Sequence, residues 1–405
     1  MSHFRIALLL LSLLFSAPTP SWAASDGKPA TVSPWLYKKL QKTERLIAKK
    51  SYGHAGKMLR MLLNKVDQGS YEQALVLRSL SSVYVLQNRY GKAAEAMARC
   101  VALNVLPEQQ QQQALLNLGQ LYMATENYRK AVRILEPWLA ENPAPNAELY
   151  VLLANAYAQL KQYRKALPYI EKAIKSSKKP VESWYQLNLA LYYELNDYRS
   201  AARILQRMIQ HFPDKKEYWE QLAAVHQLLK QYKKVVAIKD LAYRKGLLTR
   251  EKEILDLANL FLYVDAPYKA GKLLTDEIQK GRVAGNSKNW ELLANAWTQA
   301  REYKQAAAAL ETAARLNAKG RLYLQLGQVY VAQEQWRKAI MALNKAIEKG
   351  GLKHPGTAYI LLGMSHYELQ QLKSARQAFN KAAKYKKTRA AARQWLNYMA
   401  NDTPG

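Results

Sequence analysis

The chain has 405 residues, 49% of them hydrophobic, and its 61 Lys and Arg against 31 Asp and Glu give a net charge of +30. One cysteine, Cys100, excludes an intramolecular disulfide and a thiolate metal cluster. The charge bears on association and not on fold; it suits acidic proteins, anionic lipid, lipopolysaccharide or nucleic acid.

Residues 1–23 read as a secretory signal peptide. Arg5 is a short basic start, Ile6 to Ala17 is apolar but short for a bilayer span, and Pro18 and Pro20 end the run. Ser21 and Ala23 are the small residues a signal peptidase reads, so cleavage is expected after Ala23, with no Cys there for a lipid anchor. An uncleaved anchor is the alternative. The expected destination is a bacterial periplasm, which argues against nucleic acid as the natural ligand. Residues 24–35 form a flexible lead-in rich in Ser, Thr, Pro and Gly.

From residue 36 to 385 one pattern recurs about every 35 residues. A small residue is followed after three by a ring, after six more by Tyr or Trp, and after three more by Ala. Gly119-Tyr122-Tyr128-Ala131, Ala154-Tyr157-Tyr163-Ala166, Ala294-Trp297-Tyr303-Ala306 and Gly327-Tyr330-Trp336-Ala339 are the strongest copies. The marker that opens the second half of each copy is Ala55, Ala93, Ala131, Ala166, Ala201, Val235, Ala270, Ala306, Ala339 and Ala375, which predicts about ten units. Leu115, Leu118, Gly119 and Tyr122 share one helical face, and Ala131, Leu135 and Trp138 share the next, across the polar turn Thr125-Glu126-Asn127. Each unit is therefore a pair of antiparallel helices that buries its apolar face by stacking on the next. The pattern resembles the tetratricopeptide repeat, which implies an all-α, right-handed superhelical solenoid.

Several positions depart from the pattern. Gly53 and Gly56 dilute the first unit, Lys239 stands at a usually apolar place, Pro267 lies in a turn, and Leu372 replaces an aromatic. Pro143 and Pro213 should end second helices. Cys100 falls at a small buried position and reads as an inert core thiol. Residues 280–289 are the best candidate hinge and 175–180 the second. Residues 386–400, with Trp395 and Tyr398, read as a capping helix and 401–405 as a disordered tail.

Four phrases go beyond the repeat: Ala190 to Leu195 (ALYYEL), Leu241 to Arg250 (LAYRKGLLTR), Ala266 to Ala270 (APYKA) and Lys386 to Tyr398 (KKTRAAARQWLNY). Across the mature chain they resemble tetratricopeptide-repeat proteins of Gram-negative marine bacteria described as components of TonB systems. The resemblance implies a periplasmic accessory to energy-coupled outer-membrane uptake, with TonB, ExbB or ExbD proteins as partners. It assigns no binding residues.

No catalytic, cofactor or metal site is legible. The six histidines show no paired spacing on a helix; His226 and His366 occupy the ring position of their repeats and read as core residues. There is no Gly-rich phosphate loop and no Gly-x-Ser-x-Gly elbow. Gly350-Gly351 reads as a helix stop.

Binding residues are sought instead on the first helices, which line the concave face of such arrays. The position after the small signature residue holds Gln120, Asn155, Asn259, Asn295 and Gln328, interrupted by Ala190 and Ala224. Amides carry donors and an acceptor and can bond an extended peptide backbone without demanding a sequence; a wet groove lined by short polar residues is the plain alternative. One turn earlier stand Val151, Leu255 and Glu291 rather than Lys, so a carboxylate clamp is not expected. Tyr193, Met364 and Tyr367 are a candidate apolar lining.

A basic run opens the second helices: Arg129-Lys130, Arg164-Lys165, Lys233-Lys234, Lys269, Lys304 and Arg337-Lys338. Cations there oppose the helix dipole, so they serve either solubility or an anionic partner. The C-terminal stretch carries Lys373, Arg376, Lys381, Lys384, Lys386, Lys387, Arg389 and Arg393 and no acid before Asn401. It is a solvated face or a dock for lipid headgroups or an acidic protein.

The expected function is a non-catalytic periplasmic scaffold that binds proteins, an accessory of a TonB–ExbB–ExbD system. The alternatives are an adaptor for cell-wall or lipopolysaccharide assembly, or a regulatory activator of a periplasmic hydrolase.

Overall fold

The computed structural model describes residues 31–142 and 146–401. The signal segment 1–23, the lead-in up to residue 30, Pro143 and residues 402–405 of the tail lie outside them. Among the described residues every regular element is a helix. The chain divides into two compact units, with the boundary along the sequence between His211 and Phe212.

The first unit holds five helix pairs: α1 Pro34–Ala48 with α2 Tyr52–Leu63, α3 Tyr71–Leu86 with α4 Tyr90–Leu103, α5 Glu108–Ala124 with α6 Tyr128–Glu141, α7 Ala147–Gln159 with α8 Tyr163–Ser176, and α9 Glu182–Glu194 with α10 Tyr198–His211. The second holds α11 Lys216–Leu228 with α12 Tyr232–Arg244, α13 Glu251–Tyr263 with α14 Pro267–Gln279, α15 Ser287–Gln299 with α16 Tyr303–Leu316, α17 Gly320–Ala332 with α18 Trp336–Lys349, α19 Pro355–Glu368 with α20 Leu372–Ala383, and a closing helix α21 Arg389–Asn401. Within each unit consecutive helices pack on one another, the arrangement of a helical solenoid.

The signature residues do what their sizes allow. All ten markers are buried, from Ala55 to Ala375, with Val235 the one larger side chain among them. They face the first helix of their own pair, where a longer side chain would overpack the seam at a cost of about 1–3 kcal/mol. Gly363 shows how close the approach is: a Cβ there would lie 2.6 Å from the Phe379 ring. Tyr157, Trp297 and Tyr330 fill the space beside these small residues and are buried. One core position breaks the pattern. Leu80, Leu118, Leu153, Leu222, Leu257, Leu293, Leu326 and Leu362 are buried one residue before the small position, and α9 puts Asn188 there, fully buried with neither amide atom hydrogen-bonded.

The turns share a device that composition does not reveal. Each first helix ends in a left-handed residue that is not glycine: Lys50, Asn88, Glu126, Lys161, Asn196, Lys230, Asp265, Arg301, Glu334 and Gln370, with φ between 54° and 60°. The conformation lets the next two amides close onto the helix end, as when Asn127 N–H donates to Tyr122 C=O at 2.8 Å. Some first helices are capped by a side-chain oxygen: Ser70 Oγ accepts from Gln73 N–H at 3.1 Å and Asn286 Oδ1 from Asn289 N–H at 3.0 Å.

Residues 280–289, the candidate hinge, are cross-bonded. Glu277 is fully buried and pairs with Arg282, while Lys280 Nζ and Tyr243 Oη donate to its Oε1 at 3.2 and 2.8 Å. Burial opposes the charge, but the bonds from Arg282, Tyr243 and Lys280 prevail and hold the Glu277 carboxyl below its ordinary range. Asn289 Nδ2 donates to Glu251 Oε1 and to Ala284 C=O, both at 2.9 Å.

Candidate partner-binding surfaces

The groove positions differ between the two units. In the first, Gln120 is buried together with Leu116 and Met123, its neighbours on the same face of α5. That strip is packed over, and Gln120 is withdrawn from any partner. Asn155 on α7 is half-buried, and its Nδ2 donates back to Val151 C=O at 3.0 Å, which leaves Oδ1 to accept. Ala190 on α9 is exposed but apolar.

The second unit is more open. Asn259 on α13, Asn295 on α15 and Gln328 on α17 are exposed at the same register of three successive first helices. Asn259 Nδ2 bonds Leu255 C=O at 2.9 Å, so its Oδ1 faces outward as an acceptor. Beside them Leu255, Leu262, Leu324 and Val331 are half-buried. Glu291, one turn before Asn295, is engaged by the Arg321 guanidinium from the next pair, with Nη2 to Oε2 at 2.6 Å. This fork removes the local negative charge and fixes both side chains.

The same unit ends in an aromatic cluster. Tyr367 on α19 lies 5.6 Å from Trp395 and 5.9 Å from Tyr398 on α21, and Trp395 stacks on Phe379 at 5.3 Å. Ile360 and Met364 pack beside it, half-buried, while Tyr398 is exposed. Met364 and Tyr367 are thus the candidate apolar lining, joined by two rings of the closing helix. Tyr193, in the first unit, instead packs edge-on against Tyr198 at 6.2 Å.

Arg129, Lys130, Arg164, Lys165, Lys233, Lys234, Arg337 and Lys338 are all exposed. The helices they open have no acid in the first turn, nor does any other second helix of the ten. In four repeats the lysine just before the marker alanine has a role inside its own repeat. Lys130 stands over Tyr122, Lys165 over Tyr157, Lys269 over Phe261 and Lys338 over Tyr330, each ammonium 5.5–5.8 Å from the ring centroid. The attraction to the ring offsets the unfavourable dipole. The first cation, in Arg129, Arg164 and Arg337, makes no such contact and is left to solvent or a partner. A second set of pairs joins Lys172 to Tyr150, Arg207 to Tyr185, Lys345 to Tyr323 and Lys381 to Tyr359 at 5.3–5.8 Å.

Several carboxylates are engaged by tyrosines or cations of neighbouring helices. Glu136 accepts from Tyr169 Oη at 2.7 Å and Glu171 from Tyr192 Oη at 2.6 Å; burial, and then these carboxylates, push both tyrosines up to about 12. Glu253 is pulled the other way. Burial opposes its charge, but Lys216 Nζ at 2.5 Å, Arg250 Nε at 2.6 Å and the Arg250 amide hold its carboxyl down to about 2.

Of the histidines, His226 and His366 each place Nδ1 on a glutamine Oε1, Gln231 at 2.8 Å and Gln371 at 2.6 Å, which fixes the ring and engages one nitrogen. Cys100 is fully buried, its thiol donates to Ala74 C=O at 3.2 Å, and burial pushes it up to about 11, so it is a poor nucleophile. Among the described residues no three His, Cys, Asp or Glu side chains gather as metal ligands would, and no helix is long and apolar enough to cross a membrane.

Four family models, each described as a tetratricopeptide repeat, match residues 114–147, 147–180, 185–215 and 324–398. Among solved structures the chain is similar to a tetratricopeptide repeat protein from Parabacteroides merdae, at 15% identity over 82% of this chain and 99% of that one, with a TM-score of 0.38. It is also similar to the C-terminal part of a repeat-containing protein from Cytophaga hutchinsonii, at 14% identity over 69% and 95% with a TM-score of 0.37. A third likeness is to MamA protein, at 19% identity over 52% and 93% with a TM-score of 0.30. A search of the curated proteins gives no match.

Proposed function

We propose that this tetratricopeptide-repeat protein is a non-catalytic scaffold of the bacterial periplasm that holds a segment of another protein in the groove of its second unit. The observation that carries the reading is the row Asn259, Asn295 and Gln328, exposed at one register on three successive first helices. Among the described residues the side-chain amides of Asn295 and Gln328 have no hydrogen-bond partner, so they can serve a peptide backbone without first breaking a bond. The half-buried leucines beside them and the cluster around Tyr367 and Tyr398 supply apolar area, and aromatic side chains at such places carry most of the binding energy in many interfaces.

The partners proposed are the periplasmic parts of TonB, ExbB or ExbD proteins, in an uptake system of the outer membrane. Support for this comes from the sequence phrases and the export signal. The free cations of the second helices and of the C-terminal stretch give the scaffold a second hold, on anionic lipid or lipopolysaccharide.

The test is a binding titration of the purified protein against the periplasmic domains of TonB and ExbD. Replacing Asn259, Asn295 and Gln328 together by Ala should weaken binding at least tenfold while the helical circular dichroism is unchanged. Unchanged affinity would remove the amide row from the account.

A further inference from the structure

The fold lays a further cation-bearing segment beside the basic stretch of residues 384–389. The segment before α19 and the segment between α20 and α21 lie side by side. Lys387 Nζ is 3.1 Å from His354 Nε2, and a Cβ on Gly356 would fall 2.1 Å from Thr388 Oγ1. Tyr359 and Tyr385 stack across the seam at 6.0 Å, with Lys381 over the outer face of Tyr359. Thr388 Oγ1 donates to Ala382 C=O at 2.8 Å and Arg389 Nε to Ala383 C=O at 3.2 Å, which holds the connecting turn in place.

This packing sets the segment that carries Lys353 against the one that carries Lys384, Lys386, Lys387 and Arg389, and all five are exposed. Among the described residues none of the five has an ion-pair partner, and no carboxylate occurs from residue 369 to 401. Tyr385 stands in the middle of the lysines, 38% exposed. A scaffold held only by its groove has no need of five unpaired cations at one place, since like charges so close repel and lower stability.

We infer that this surface docks on an anionic bilayer. Four of the five cations are lysines, compact charges on flexible stems, which suit a fluid array of phosphates better than a fixed carboxylate pair. A tyrosine among lysines is also the composition of the membrane interface, where the ring sits at headgroup level and the ammonium groups meet phosphate. The inference deepens the lipid hold proposed above and rests on the same envelope location, not on the groove.

The experiment is co-sedimentation of the purified protein with vesicles of phosphatidylcholine alone or with about a third phosphatidylglycerol, at low salt. Two variants accompany it: K384S/K386S/K387S, and K384E/K386E, which leaves the Lys387–His354 contact in place. At about 1 kcal/mol per cation near the surface, anionic vesicles should bind the parent at least tenfold better than neutral ones, and both variants should lose at least tenfold. Raising the salt should weaken the parent's binding steeply. The inference is overturned if the parent does not prefer anionic vesicles, if K384E/K386E binds them as the parent does, or if the parent binds polyglutamate but no vesicle. The last result would make an acidic protein the occupant. N259A/N295A/Q328A should bind vesicles like the parent, which separates failure of this surface from failure of the groove.

Discussion

The Lys165 ammonium lies 5.8 Å from the centroid of the Tyr157 ring, across the turn that joins α7 to α8. The same pairing, eight residues apart in the chain, recurs as Lys130 on Tyr122, Lys269 on Phe261 and Lys338 on Tyr330. A cation at the start of a helix is out of place electrostatically, and these are retained at the signature ring. Lys165→Met should therefore lower stability by about 0.5–1 kcal/mol in urea unfolding, and Lys165→Arg should restore most of it. A neutral effect of both would mean that the contact contributes nothing.

Asn188 offers the opposite case. Its amide is fully buried without a hydrogen bond where eight other units bury leucine. Asn188→Leu should raise stability by about 1–3 kcal/mol, seen as a higher melting temperature with the same helix content. A loss of stability would show that the site has no room for leucine or that the amide has a partner in solution.

The left-handed turn residues carry a backbone cost that glycine would avoid. Lys161, at φ 57°, is exposed. Lys161→Gly should stabilise the α7–α8 pair by about 0.5–1 kcal/mol, the strain relieved exceeding the entropy lost in the unfolded chain. Urea midpoints of the two proteins decide the sign.

Acid should weaken the second unit through Glu253. Its carboxyl is held down to about 2, against 4.5 for the free group. A carboxyl with a lowered folded value contributes stability that is complete above the unfolded value and vanishes as the pH falls through the folded one. Glu253→Gln should thus cost roughly 2 kcal/mol at pH 7. The difference between variant and parent should shrink from about pH 4.5 downward. A constant difference between pH 7 and pH 3 would contradict the ionic role.

The helix pairs were legible because a spacing alone demands them. A small residue and a ring three apart, then Tyr and Ala after the turn, specify one tight seam, and every marker alanine is buried. The turns were legible as turns but not as left-handed ones, because none of the ten residues is glycine. The basic run was legible as a list of charges, yet which cation faces a ring depends on how the chain folds back across the turn. Gln120 was placed on the groove by register, and the burial of Leu116 and Met123 beside it closes that strip. The basic stretch of residues 384–389 was legible as a charge run, but its fifth cation was not: Lys353 and Lys387 are 34 residues apart, and only the packing of Gly356 on Thr388 and of Tyr359 on Tyr385 brings their segments together.

The central claim is that a protein partner lies in the groove of the second unit. The most direct measurement places a photo-crosslinking residue at Asn295 or Gln328 in living cells, with Met341, exposed on a second helix, as the control position. The account predicts adducts with TonB, ExbB or ExbD proteins from Asn295 and Gln328 and none from Met341. No adduct at the groove positions, or the same adducts at Met341, would contradict it.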